Sequence, residues 1–262
     1  MTIEAERDRN RVRAAAAVAD RPEVVVRGSV GPAQARQAEG AVRAVLARLD
    51  EPAQFVRLRL TEQAEPGGAP RVLAQATVLV HGQAVRVQQA GPTVRAAVDQ
   101  LCGCLGDRLE PVARHDSGLP AAGTPSRHPP YMPRPQSDRM IMRCKVVRPE
   151  VHTVDGAALE LDLLDHEFHL FIECGSGQVS VLYRTPDGYR LLQANPRPDR
   201  LVHGGVPVRP SLCAAPRMTV TDAAHEMDGS GRSFLFFTDA DSGRSHVLYR
   251  RYDGHYAMLT TR

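Results

Sequence analysis

The sequence predicts an α+β protein. We expect an N-terminal β-α-β-β-β-α domain, a proline-rich linker, and two tandem β-rich units of β-α-β-β-β order that form an intramolecular pseudo-dimer. Three observations predict this fold: apolar residues follow strand and helix periods over residues 23–112, six prolines interrupt residues 113–137, and one 36-residue stretch recurs 66 residues later. Residues 1–22 mix both signs of charge around a short, weakly apolar run, so we expect a flexible extension there rather than a signal sequence.

The elements of the first domain follow from the spacing of its apolar residues. Apolar residues three or four positions apart predict the helices, and alternation with polar residues predicts the strands. In order, the predicted elements are a strand at Glu23–Arg27, a helix from Pro32 to Leu49, strands beginning at Val56, Val72 and Val85, and a helix from Val94 to Val112. A turn is predicted at Glu65–Pro70. We expect an antiparallel-type sheet with both helices on one face.

Residues 113–137 predict a linker, because their six prolines leave almost nothing apolar to bury. Fully extended in polyproline geometry, the segment would span roughly 75 Å. Such a linker could place two modules on separate surfaces of a very large partner.

The strongest signal is an internal duplication. Residues 153–188 align without a gap onto 219–254, and sixteen of the 36 positions are identical. Each copy predicts a short helix, a strand, a Ser-Gly turn, a strand ending in Leu-Tyr-Arg, an Asp-Gly turn and a last strand.

The duplication sets the expected boundaries of the C-terminal half. We predict one unit at residues 138–203 and the other at residues 204–262. A leading strand at Met140–Arg148 should join the first copy, and a weaker one at Val206–Cys213 the second. Because a unit of about 55 residues buries too little surface alone, the two copies should pack on each other about a pseudo-twofold axis.

The composition indicates the cellular compartment of the protein and the kind of contacts that its basic residues can make. The five cysteines are scattered and odd in number, which favours a reducing cytoplasm over a disulfide framework. No run approaches the roughly 18 apolar residues that a membrane span needs. Of the 33 basic residues only Lys145 is lysine. Arginine suits bidentate phosphate contacts and stacking on bases, although a GC-rich genome would produce the same bias.

Both copies end in the same sequence pattern, and this pattern resembles that of a known family. Val247–Tyr256 matches the pattern V-x-Y-R-R-x-D-G-x-Y, and Val181–Tyr189 is similar but one residue shorter. These residues, with Ala96–Asp99 at the start of the second helix, resemble the long-form ribosome hibernation promoting factors, also called the S30EA or sigma-54 modulation family. The duplicated C-terminal unit resembles the actinobacterial variant. The chain departs from the family where Arg95 stands in place of a tyrosine.

The resemblance implies a function. It implies a cytoplasmic protein that binds the decoding region of the small ribosomal subunit, with 16S rRNA and ribosomal proteins as partners, and stabilises inactive 70S ribosomes under stress. In most long forms a single C-terminal domain dimerises between two ribosomes. With two copies in one chain, that surface should be satisfied internally, so we expect a monomer that protects single 70S particles.

Arginines on the predicted polar faces of the first domain are the candidate contacts to rRNA phosphate. Such contacts act by counterion release and positioning, with little base reading. The alternative is an ordinary solvated surface, which charged residues usually form. The candidates are Arg27, Arg36, Arg43, Arg57, Arg59, Arg86, Arg95 and Arg108.

Aromatic and leucine side chains of the repeat are the candidate contacts between the copies. In a strand, residues three apart point to opposite faces, so one phenylalanine of each Phe-x-x-Phe pair should face the core and the other the neighbouring copy. The sequence leaves open which one does so. The candidates are Phe168, Phe171, Leu182, Tyr183, Phe234, Phe237, Leu248 and Tyr249.

Other patterns do not predict catalysis or a ligand site. Cys102 and Cys104 fit small apolar positions on a helix. His166 and His169 would point to opposite faces of a strand and could not share a metal. Asp187 and Asp253 belong to hairpin turns. We therefore expect no enzyme activity, cofactor, metal, membrane contact or small-molecule substrate.

A second hypothesis belongs to another class of protein. A stress-induced interaction module could bind a protein partner through the duplicated units and touch RNA only incidentally. Sedimentation with ribosomes separates the two hypotheses.

Overall fold

The computed structural model describes residues 22–50, 52–63, 71–113 and 131–262. These residues divide into two compact units, one built on the N-terminal domain and the other on the C-terminal copies. Almost all of the predicted N-terminal extension, the predicted turn at Glu65–Pro70 and most of the predicted linker lie outside the described residues.

The N-terminal domain has the predicted β-α-β-β-β-α order, which is confirmed. Its elements are β1 (Glu23–Arg27), α1 (Pro32–Leu46), β2 (Phe55–Gln63), β3 (Arg71–Val80), β4 (Gln83–Gly91) and α2 (Val94–Ala113). The sheet order is β1-β2-β3-β4. The β2–β3 and β3–β4 pairs are antiparallel, whereas β1 and β2 are parallel, which differs from the antiparallel sheet expected. The parallel pair follows from the crossover through α1, which returns the chain in the same direction.

The core of this domain lies between the sheet and its two helices. Strand alternation turns Val56, Leu58 and Leu60 inward, and all three are buried in the cluster that contains the inner residues of α1 and α2. Gly91 ends β4 where α2 begins, and a Cβ there would lie 2.7 Å from the Ala97 nitrogen. Only glycine allows so close an approach of helix to strand.

The C-terminal half contains the predicted helix and three strands in each copy. Its elements are β5 (Ile141–Val147), β6 (Val151–His152), α3 (Val154–Leu163), β7 (Phe168–Glu173), β8 (Val179–Thr185), β9 (Gly188–Gln193), β10 (Val208–Pro210), β11 (Arg217–Met218), α4 (Val220–Ser230), β12 (Phe234–Asp239), β13 (Ser245–Arg250) and β14 (Tyr256–Thr261). The two-residue strands β6 and β11 were not predicted. In the Asp-Gly turns, Gly188 has φ +124° and Gly254 has φ +80°, where glycine is the favoured residue.

The leading strands are exchanged between the two copies. β5 pairs in parallel with β14 of the second copy, and β10 pairs in parallel with β9 of the first. The two sheets therefore have the orders β10-β9-β8-β7-β6 and β11-β12-β13-β14-β5. The expectation that each leading strand joins its own copy is wrong. The period of a strand shows which residues face inward but not which edge it pairs with, and two similar copies offer equivalent edges.

Each copy keeps a core of its own. The first is built on α3, Phe171, Leu182 and Leu191. The second is built on α4, Phe237 and Leu248. Within the part of the chain that the structure describes, no helix has the length and apolarity to cross a bilayer.

Candidate nucleic-acid interface

Seven of the eight predicted arginines lie on two faces of the N-terminal domain. Strand alternation places Arg57 and Arg59 of β2 on the face of the sheet opposite the helices. Across β3, Arg57 pairs with Thr77 and Thr77 with Arg86, so Arg86 shares this outer sheet face. Four other candidates lie on the helices, Arg36 and Arg43 on α1 and Arg95 and Arg108 on α2. The candidates therefore form two groups rather than one continuous basic surface.

The outer sheet face is less exposed than the sequence predicts. The Arg57 side chain is only 7% exposed, and its Nη2 and Nε lie 2.7 Å and 3.0 Å from Oε2 of Glu23. Its guanidinium also lies over the Phe55 ring, 5.3 Å from the centroid. Arg86 is 3% exposed, whereas Arg59 is half-buried. A buried guanidinium needs a countercharge or hydrogen bonds, and Glu23 supplies both to Arg57. Both the predicted rRNA contact and its solvated-surface alternative require exposed side chains, and Arg57 and Arg86 are buried instead.

The helix face keeps its cations at the surface. Arg36 and Arg43 are exposed, and the Arg95 side chain is 78% exposed. Arg95 Nε lies 3.7 Å from Oδ2 of Asp99 one turn later, an exposed pair that contributes little stability and is easily exchanged for another anion. Arg108 is half-buried, with Nη1 3.5 Å from the Arg86 carbonyl oxygen.

The last arginine candidate and the cysteine pair lie elsewhere on the same domain. Arg27 is exposed at the end of β1. Cys102 and Cys104 are half-buried on α2 and pack against the core, and burial raises the pKa of the Cys102 thiol. Packing of this kind agrees with small apolar positions.

The seam between the C-terminal copies is aromatic. The ring centroids of Phe168 and Phe234 lie 4.9 Å apart, Phe168 and Tyr249 are 5.6 Å apart, and Tyr183 and Phe234 are 5.3 Å apart. The first phenylalanine of each Phe-x-x-Phe pair therefore faces the other copy. Four of the eight residues predicted at the seam lie instead in the separate cores, because strand alternation turns them the other way. They are Phe171, Leu182, Phe237 and Leu248.

Sequence reasoning missed a buried polar group that recurs in both copies. In the first, Asp162 accepts hydrogen bonds from the Tyr189 hydroxyl and from Arg184 Nε. Burial and the bond to Asp162 raise the pKa of Tyr189, so its hydroxyl stays a neutral donor.

The second copy contains the equivalent aspartate and tyrosine, but its arginine comes from a different position. Asp228 accepts from the Tyr256 hydroxyl at 2.7 Å and from Arg139 Nη1 at 2.8 Å. Arg139 precedes the exchanged strand β5. The repeated aspartate and tyrosine were visible in the sequence, but the substitute arginine was not.

The fold defines a two-module α+β protein with a duplicated C-terminal unit, and comparison with known proteins shows its family. Residues 136–191 and 208–258 each match the family described as "Sigma 54 modulation/S30EA ribosomal protein C terminus". The chain is 31% identical over 254 residues to the "Dormancy associated translation inhibitor" of Mycobacterium tuberculosis (strains CDC 1551 / Oshkosh and ATCC 25618 / H37Rv), a match that covers 91% of this chain and 88% of that protein. The chain belongs to the S30EA family, in its long form with the C-terminal domain present twice.

Two other similarities cover less of the chain. A "Ribosome hibernation promotion factor" of Lactococcus lactis subsp. cremoris (strain MG1363) is 44% identical over 54 residues, which is 21% of this chain and 29% of that protein. A solved ribosomal subunit interface protein from Coxiella burnetii covers 35% of this chain and 98% of its own at 14% identity and a TM-score of 0.28, too low to add weight. These relatives are described as a translation inhibitor and a hibernation promotion factor, in agreement with the prediction that the chain is not an enzyme.

Proposed function

We propose that this chain inhibits translation in the cytoplasm by binding the small ribosomal subunit at its decoding region, which stabilises inactive 70S ribosomes under stress. The observation that carries the proposal is the 31% identity with a dormancy associated translation inhibitor, which extends over 91% of the chain and so includes both modules. A relative that matched only the C-terminal copies would have supported the interaction-module hypothesis equally well.

The N-terminal domain supplies the contacts to rRNA. Arg36 and Arg43 are exposed on α1, and Arg95 is exposed at the start of α2. Guanidinium groups in such positions can bind phosphate oxygens and release counterions without reading bases. Arg57 and Arg86 are buried, so the proposal assigns the first phosphate contacts to the helix face.

The duplicated C-terminal units keep the protein on one ribosome, because they pair with each other rather than with a second chain. Each copy contributes a strand to the sheet of the other and a phenylalanine to the shared seam. The surface that a single-copy chain would offer to a second chain is covered within this one. We infer that the protein is a monomer and protects single 70S particles without pairing them.

Sedimentation through a sucrose gradient tests the proposal. The purified full chain should migrate with 30S and 70S particles, and added salt should release it as expected for phosphate contacts. Arg36→Glu with Arg43→Glu should weaken binding. It should also lower the slope of log affinity against log salt by about 1 for each guanidinium that no longer binds a phosphate.

A matched charge control separates phosphate contact from net charge. Arg200→Glu with Arg232→Glu changes the charge equally at side chains 62% and 60% exposed in the C-terminal copies, and should leave the salt slope unchanged. Absence of the wild-type chain from every ribosomal fraction would favour the interaction module. A new 100S peak would contradict the inference that the chain does not pair ribosomes.

A further inference from the structure

Three side chains that are far apart in the sequence converge in the first C-terminal copy. His152 lies on β6, Glu160 on α3 and His169 on β7. Oε1 of Glu160 lies 3.7 Å from Nε2 of His152, and Oε2 lies 3.7 Å from Nε2 of His169. The three residues can each direct one ligand atom to a common point, with these atoms within 4.8 Å of one another. We call them the His-Glu-His cluster.

A fourth oxygen lies beside the cluster. Oε2 of Glu150 is 3.4 Å from Nε2 of His152, and its side chain is 51% exposed. The cluster has an inner and an outer side, because the His169 side chain is 5% exposed while those of His152 and Glu160 are 22% and 26% exposed. Nε2 of His152 is buried and has no hydrogen-bond partner among the described residues, although Oε2 of Glu150 lies 3.4 Å away.

The second copy shows that the fold does not need these histidines. A shift of 66 residues carries His152 onto Met218 and His169 onto Leu235. Met218 and Leu235 both pack in the core of the second copy. Glu226 keeps the position of Glu160 and is exposed. Apolar residues therefore fill the equivalent positions in the second copy. The first copy has two imidazoles at positions where packing alone would favour methionine and leucine.

We propose that the His-Glu-His cluster binds one divalent transition-metal ion of the zinc class, with Glu150 or water as the fourth ligand. Imidazole nitrogen and carboxylate oxygen bind Zn²⁺ at roughly 2.0–2.2 Å in tetrahedral geometry, which places neighbouring ligand atoms about 3.4 Å apart. The two separations of 3.7 Å run to different oxygens of Glu160, and the ligand atoms all lie within 4.8 Å of one another. Binding of one ion therefore requires these atoms to approach by up to about 1.4 Å. The sequence excluded a metal shared by His166 and His169, but the structure pairs His169 with His152, whose ring centroid lies 5.8 Å away.

The ion would join β6, α3 and β7 and so stabilise the first copy on its own. Binding of a ligand to the folded state alone raises stability in proportion to the logarithm of its concentration over Kd. This inference does not depend on the proposed ribosome function. The competing account is a pair of protonated histidines bound to Glu160, which needs no metal.

The test uses the full chain, freed of metal with a chelator and carrying no histidine tag. Calorimetric titration with Zn²⁺ should give one site per chain, and Co²⁺ should give the intense visible absorption of a four-coordinate ion. Replacing His152→Met with His169→Leu installs the residues of the second copy and should weaken binding at least about 100-fold. His225→Ala, at an exposed position on α4, should bind as the wild type does.

Thermal unfolding gives a second readout. Zn²⁺ should raise the unfolding midpoint of the wild type and of His225→Ala but not that of the double variant. The proposal is overturned if the wild type binds no metal, or if the double variant binds equally well. If the double variant does not fold, His152→Met alone serves, with circular dichroism to show folding and loss of the cobalt spectrum as the expected result. A stability that follows pH but not Zn²⁺ establishes the ion-pair account instead.

Discussion

The two C-terminal copies share sixteen of 36 aligned residues and one fold, yet each completes its buried polar group with a different arginine. Asp162 is held by Arg184 from its own copy, whereas Asp228 is held by Arg139 from the segment that leads into the exchanged strand β5. The pairs also differ in burial, with side-chain exposures of 12% and 8% for Arg184 and Asp162 against 13% and 21% for Arg139 and Asp228. The two copies therefore keep similar apolar cores, but the arginine that binds the buried aspartate comes from a different segment in each.

The exchange itself is unequal. β5 gives seven residues to the second copy, but β10 gives only three to the first. The second copy is therefore more dependent on a strand from outside its own repeat. Variants that remove the second copy, or one of the two buried aspartates, test this difference directly.

The largest effect should come from deleting residues 204–262. The deletion removes β10 from the edge of β9 and removes β14 from β5, so one chain is left with an unpaired strand and an unpaired edge. We expect two truncated chains to exchange their β5 strands, each pairing with β9 of the other. Light scattering after gel filtration should show a dimer for the truncation and a monomer for the full chain. A truncation that stays monomeric at high concentration would show that the unpaired β5 and the open edge of β9 do not drive dimerisation.

The next effect should come from the buried aspartates. Asp162→Ala leaves the Arg184 guanidinium largely buried without its carboxylate, and we expect it to lower the free energy of unfolding of the C-terminal unit by about 3–5 kcal/mol. Asp228→Ala acts at a more exposed pair and should cost about 1.5–3 kcal/mol. Urea denaturation followed by circular dichroism measures both. Equal losses would show that the difference in burial does not decide the strength of the two ion pairs.

The smallest effect should appear as a pH dependence that His246 gives to the second copy. His246 on β13 is buried, with Nδ1 3.3 Å from Met258 Sδ and its ring centroid 5.3 Å from that of Phe237. Burial lowers the pKa of His246, assisted by Arg244 and opposed by Asp239. The corresponding residue of the first copy is Ser180, which does not titrate.

The sign of this dependence follows from linkage. Below the unfolded pKa of about 6.5 the unfolded chain takes up a proton that the folded His246 resists, so stability is complete above that pH and falls as the pH decreases. The loss is at most about 1.4 kcal/mol per pH unit for one group. Between pH 7 and pH 5.5 the free energy of unfolding should therefore fall less in His246→Ser than in the wild type, by up to this amount. Parallel stability curves for the variant and the wild type would rule out His246 as the source.

Much of the fold could be predicted from periodicity and repetition. The order of elements in the first domain and the helix and three strands of each copy are local properties, so the apolar pattern sufficed. The candidate site was harder to predict. A strand period places Arg57 on the polar face, but only the register with β1 shows that Glu23 already binds it. Likewise, the Phe-x-x-Phe spacing required one phenylalanine at the seam, and only the sheet showed that it is Phe168.

By itself, the sequence determined the duplicated unit, the two-module organisation and the family, because these are recorded in residue identity and spacing along one chain. Tertiary structure alone decided which edge each leading strand pairs with, which arginine holds Asp228, and that His152, Glu160 and His169 meet. Those features depend on contacts between residues far apart in the chain. Local periodicity carries no information about such distances, since equivalent edges and faces occur in both copies.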